Sequence, residues 1–152
     1  MTMSEDPKSS LQEGLELLLV ELEFKVPLWG VTLFTVDGYV LAHKLFYRKM
    51  PDEIEMIVSS MSASLISIAE DFIKFVDSKS VFRQTIIDAD NEKASLKFSI
   101  LLKRLANNVL LTCIFPVSSQ LGLIFYEIDI LGEQVNRYLS QWDAKVHFET
   151  AT

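Results

Sequence analysis

Apolar positions along this chain change period several times, and each change marks an element. Leu11, Leu15, Leu18 and Leu22 follow spacings of four, three and four, with Glu13, Glu16, Glu21 and Glu23 largely elsewhere on the surface. That stripe predicts a helix, α1, capped by Ser9 or Ser10 and ending before Pro27. Residues 29–36 (WGVTLFTV) and 39–46 (YVLAHKLF) are β-rich and separated by Asp37-Gly38. Asp-Gly between two such runs predicts a tight hairpin of strands β1 and β2, whose two central residues both need positive φ.

From Pro51 and Asp52 to about Val76 the pattern is helical again. Ile54, Val58, Met61, Leu65, Ile68, Phe72 and Phe75 recur at steps of four and three, the pattern of a core-facing stripe. The opposite side of this helix, α2, carries Met56, Ser59, Ala63, Ile66 and Ile73, small or apolar where a surface helix is charged. Two buried faces are therefore expected on α2.

A meander follows. Residues 81–90 predict strand β3, 91–93 a turn, 94–103 strand β4, 106–108 a second turn, and 109–115 a continuous apolar strand, β5. Pro116 stops the ladder and Ser118 or Ser119 caps a last helix, α3, marked by Leu121, Ile124, Ile128, Leu131, Val135 and Tyr138. Both alternating sets of β1 and β5 are apolar, so these strands are covered on both faces. On β4, Phe98, Ile100 and Leu102 face one way, while Ser95, Lys97, Ser99 and Lys103 form a wetter side interrupted by Leu101. With Arg83, Gln84 and Thr85 in its middle, β3 reads as an edge. The expected architecture is an α/β (α+β) sandwich: a five-stranded, mostly antiparallel sheet of order 2-1-5-4-3, with α1 and α3 on one face and α2 on the other. Residues 1–8 are expected to be a flexible N-terminus, 9–140 one domain and 141–152 a tail.

An edge strand with no proline and only Lys79 and Arg83 as deterrents is a liability. It follows directly on the helix with a spare apolar face. Pairing of β3 with its copy across a two-fold axis answers both problems, with the small residues of SSMSAS (59–64) letting two α2 helices approach. The expected seam comprises Met56, Ser59, Ser60, Ala63, Ile66, Ser67 and Ile73 of α2, with Val81, Arg83, Thr85 and Ile87 of β3.

Composition narrows the function classes. A formal charge of -7 lacks the basic footprint that phosphates require, so nucleic acid is not an expected partner, and an anionic membrane surface is disfavoured. Contiguous apolar runs such as residues 17–20 fall short of the roughly 20 residues of a spanning helix, so no insertion into a bilayer is expected. Cys113 is the one cysteine, which rules out an intramolecular disulfide and suggests a reducing, cytoplasmic compartment.

The order α1-β1-β2-α2-β3-β4-β5-α3 resembles the Roadblock family of dynein light chains and GTPase regulators. Gly30 with VTLFTVDGYVLA (31–42) carries the likeness, as does QLGLIFYEI (120–128), which is similar to the family's Leu-Gly-Leu opening of the last helix. The resemblance covers about residues 11–139; the N-terminal extension and the tail WDAKVHFET (142–150) stand outside it. It implies a non-catalytic dimeric platform, homodimeric or paired with a paralogue, that binds a small Ras-like GTPase and promotes hydrolysis or acts as a scaffold or motor light chain. Glu55, Ser62 and Glu70 are the candidate partner-binding residues of α2.

Catalytic and cofactor chemistry finds little footing. His43 reads as a sheet-face histidine and Cys113, within an apolar strand, as a buried small hydrophobe. Asp88, Asp90 and Glu92 lack the glycine and the distal glutamate of a calcium loop, and the five glycines are too scattered to cradle phosphate. No catalytic residue, metal ligand or cofactor is assigned. Were an arginine donated to a GTPase, Arg48, Arg83, Arg104 and Arg137 are the candidates; none is expected on the α2 platform, which favours ordering of the partner's own groups. A rival expectation is a small-molecule sensor with Phe34, Phe98 and Phe115 lining a pocket between sheet and helix.

Overall fold

The computed structural model describes residues 7–47, 53–91, 96–106, 108–117 and 119–150. The elements run α1 (Pro7–Lys25), β1 (Gly30–Thr35), β2 (Val40–Leu45), α2 (Ile54–Val76), β3 (Gln84–Asn91), β4 (Leu96–Ala106), β5 (Val109–Pro116) and α3 (Leu121–Thr150). They form one antiparallel sheet of order β2-β1-β5-β4-β3, as the alternation patterns predict. Pro51, Asp52, Glu92, Ser118 and Arg48 lie outside the described residues, as does the side chain of His147.

Several boundaries differ from expectation, three of them with consequences for packing. The helix α1 begins at Pro7, so Ser9 and Ser10 lie within its first turn instead of capping it, and α3 continues to Thr150 through residues expected to be a tail. The strand β3 begins at Gln84, because Phe82 turns inward and is 2% exposed.

The hairpin uses different turn chemistry from the two-residue form. Gly38 N–H donates to Thr35 O at 2.9 Å and Thr35 N–H donates to Tyr39 O at 2.9 Å, with Gly38 at φ 87. That is a four-residue turn, 35–38, whose last residue is the bulge glycine, so positive φ is required at Gly38, where a side chain would be strained. The register slips once more between Leu33 and Phe34, where the pairings pass from Ala42 to Val40 and leave Leu41 as the extra residue.

The two faces of the sheet are covered unequally. On one, α1 and α3 pack over Val31, Leu33, Leu101, Leu111, Cys113 and Phe115. Gly14 of α1 is where the two helices touch: a Cβ there would stand 1.9 Å from the Tyr138 hydroxyl, which itself donates to Ser10 O at 3.3 Å. Part of the side of β4 expected to be wet is buried on this face, although Lys97 stays exposed. Ser99 and Lys103 are both buried, because Ser99 Oγ donates to Asp88 Oδ1 at 2.6 Å and Lys103 Nζ is neutralised by Asp129 of α3. On the other face α2 is the one helix among the described residues, over Phe34, Leu102 and Leu110.

Candidate interaction surface

The face of α2 that meets the sheet is the one expected to meet a partner. Ser59, Ser62 and Ile66 are its buried residues, and Ala63, Ala69 and Ile73 pack beside them. Ser59 and Ala63 also seat the hairpin: a Cβ on Gly38 would lie 3.7 Å from Ala63 Cβ and 3.9 Å from Ser59 O. The small residues of 59–64 therefore bring α2 close to its own sheet and turn. The cause is the chemistry of the sheet beneath. Thr32 and Thr112 are buried on that face, and Thr112 Oγ1 donates to Ser62 Oγ at 2.8 Å, a pairing that bulky apolar residues could not supply. Ser59 Oγ and Ser60 Oγ return to Met56 O at 3.1 and 2.8 Å, as helix serines commonly do.

The expected core stripe is correspondingly turned outward. Met61, Leu65, Ile68, Phe72 and Phe75 are exposed, Phe72 at 72% and Phe75 at 91%, whereas Ile54 and Val58 remain partly covered. Between this stripe and the sheet edge runs an open apolar groove of about 500 Å³, lined by Leu65, Ile68, Phe72, Ile73, Phe82 and Ile87. Beyond it β3 has β4 as its single neighbour in the sheet, with Ile86 and Ile87 exposed at 37% and 38%.

Of the other expected seam residues, Met56, Ser60, Ser67, Val81, Arg83 and Ile87 are exposed and Thr85 is partly covered. Among the expected partner-binding residues, Ser62 is buried between α2 and the sheet and Glu55 is partly covered. Glu70 is tied to its own fold: Arg104 Nη2 donates to Glu70 Oε1 at 2.5 Å, and Arg104 Nε to Phe82 O at 3.2 Å. Arg104 belongs to β4 and reaches α2 only through this side-chain contact. Leu65, Ile68, Phe72 and Phe75 are the surface residues that helical periodicity misassigned. The signal that separates the faces is size and hydroxyl content, since the compact, hydrogen-bonding face fits a sheet carrying threonines.

By length and composition α2 also qualifies as a membrane span, although no single apolar run within it is long. In the fold it lies along the sheet, held by the Ser62–Thr112 and Glu70–Arg104 contacts.

The remaining chemistry is sparse. Burial pushes the Cys113 thiol far up, leaving no thiolate for attack. His43 Nδ1 shares a 2.7 Å hydrogen bond with Thr32 Oγ1, and burial lowers its pKa below 6.5, aided by Lys44 and opposed by Glu55 and Glu16. The space beside it under α2, lined by Thr32, Val58 and Thr112, is about 10 Å³, room for one water at most. The aromatics of the expected sensor pocket do not converge: Phe34 is buried under α2, Phe115 under α1 and α3, and Phe98 packs 5.6 Å from the Trp29 ring. Among the described residues no cluster of three His, Cys, Asp or Glu side chains is placed to hold a metal.

No family model and no curated protein matches this sequence. Solved structures do match. A Roadblock/LC7 domain from Streptomyces avermitilis superposes with a TM-score of 0.70 at 16% identity, over 82% of this chain and 97% of that one. The gliding protein MglB from Thermus thermophilus gives a TM-score of 0.72 at 15% identity, over 93% and 96%. An MglB structure with a tetrameric arrangement gives 0.74 at 17%, again over 93% and 96%. At these identities the likeness is one of fold, and the fold is that of Roadblock/LC7 domains.

Proposed function

We propose that this chain is a dimeric, non-catalytic platform that binds and regulates a small Ras-like GTPase in the cytoplasm. The observation that carries the reading is the exposed stripe Met61, Leu65, Ile68, Phe72 and Phe75 beside the open edge of β3. A contiguous apolar surface of this kind marks a site of association, and a strand edge beside it supplies directional backbone pairing. The Roadblock resemblance supports the GTPase as the further partner.

A second copy related by a two-fold axis would join the sheets at β3 and set two α2 helices side by side, leaving their outer surfaces for the GTPase. The regulatory chemistry is ordering of the partner's own catalytic groups. Arg104 is committed to Glu70 and Phe82, while Arg83, exposed before β3, is the alternative donor to a transition state.

Sedimentation at micromolar concentration tests the first half, with a dimer expected and a monomer fatal to it. Mixing with Ras-like GTPases of the host, each loaded with GDP or a GTP analogue, tests the second through binding and turnover. Nucleotide-dependent binding is expected; failure to bind any of them in either state removes the GTPase from the reading.

A further inference from the structure

We infer that two copies of this chain join through β3 in one register, with the two-fold axis at Ile86. The inference deepens the dimer proposed above and rests on it.

The backbone of β3 decides which registers are available. Arg104 N–H donates to Arg83 O at 2.9 Å, and the ladder places Gln84 opposite Lys103, Thr85 opposite Leu102 and Ile86 opposite Leu101. Hydrogen-bonded and non-bonded pairs alternate along an antiparallel ladder. Arg83, Thr85, Ile87 and Ala89 therefore point their N–H and C=O groups at β4, and Gln84, Ile86, Asp88 and Asp90 point theirs at the open edge. Two identical antiparallel strands related by a two-fold axis must place the axis at a residue facing its own copy, because an axis between residues would equate a bonded pair with a non-bonded one.

Side chains then choose among the residues of β3. An axis at Asp88 sets two carboxylates against each other, and an axis at Ile87 twice sets Ile86 against Asp88. An axis at Thr85 opposes Gln84 to Ile86 and leaves the end of the strand unpaired. With the axis at Ile86, Ile86 meets its copy, Thr85 meets Ile87, and the Gln84 amide meets the Asp88 carboxylate, each of the latter pairs occurring twice. Asp88 is already oriented by Ser99 Oγ at 2.6 Å. The Thr85–Ile87 pairs lie on the same face as α2, at the floor of the apolar groove, so the register also brings two such grooves together.

Cysteine cross-linking under mild oxidation, beside sedimentation of the unmodified protein, tests the inference. In the Ile86 register, Ile86→Cys places its copies about 5.5 Å apart at Cα, within disulfide range. Ile87→Cys places them roughly 8 Å apart, beyond it. The expected result is a dimer in which Ile86→Cys links to itself, Ile87→Cys does not, and Thr85→Cys mixed with Ile87→Cys does; Cys113, buried, stays silent. A dimer in which Ile87→Cys links to itself overturns the register and leaves the dimer standing. A dimer in which none of these links forms moves the seam away from β3. A monomer in sedimentation removes the dimer reading and the register together.

Discussion

Among the described residues, the sheet beneath α1 and α3 contributes to a core of seventeen buried residues; beneath α2 the corresponding cluster has five. The strands are shared, with Leu110 and Leu111 entering opposite sides. What differs is the cover. The α1/α3 pair brings large leucines and isoleucines inward, whereas α2 turns serines and alanines to the sheet and large apolar side chains outward. One face completes a core within the chain, and the other stops short. A half-built layer fits the dimer proposed above, in which a second copy would cover the exposed stripe.

The contrast breaks hardest in the cores. Phe115→Ala on the completed side is expected to cost about 3–5 kcal/mol in urea denaturation, and Ile66→Ala under α2 about 2–4 kcal/mol. Phe72→Asp, on the exposed stripe, should change the stability of the isolated fold by less than about 0.5 kcal/mol, while light scattering should report loss of the proposed dimer. Were Phe72→Asp to unfold the chain instead, the stripe would be core after all.

Smaller changes sharpen the same comparison. Gly14→Ala forces Tyr138 aside at an overpacking cost of about 1–3 kcal/mol, against about 1 kcal/mol gained in helix propensity. In a Tyr138→Ala background the substitution should become stabilising, a reversal that thermal melts would register. Under α2, Thr112→Val leaves the Ser62 hydroxyl without its donor and should cost about 1–3 kcal/mol, whereas Thr112→Val with Ser62→Ala should recover most of it in the same denaturation assay.

The smallest expected effect is a pH dependence. The folded pKa of His43 is lowered below 6.5, so the unfolded chain binds its proton more readily. This contribution to stability is full above the unfolded pKa and is lost as pH falls through it toward the folded value. Between about pH 7.5 and 5.5, wild type should therefore lose more in Tm than His43→Asn; equal losses would show that the histidine is not linked to folding.

Strand order was legible because alternation reports burial directly: β1 and β5, apolar on both sides, could only be central, and β3, polar at Arg83 and Gln84, only an edge. Ser99 and Lys103 were misread as wet because nothing local to β4 announces that Asp129, 26 residues after Lys103, will neutralise it. The turn at Asp37-Gly38 was located correctly but typed wrongly, since Asp-Gly suits both hairpin forms and the bulge at Phe34 is a property of the paired strands.

By itself the sequence determined that α2 has two faces unsuited to water and that β3 lacks protection. Periodicity and composition are local quantities, and helices and strands express them wherever they end up. Which face of α2 meets the sheet was decided only in three dimensions, because that choice depends on matching hydroxyls to Thr112, seating Gly38 against Ala63 and engaging Glu70 with Arg104, contacts between residues separated by 25 to 50 positions in the chain.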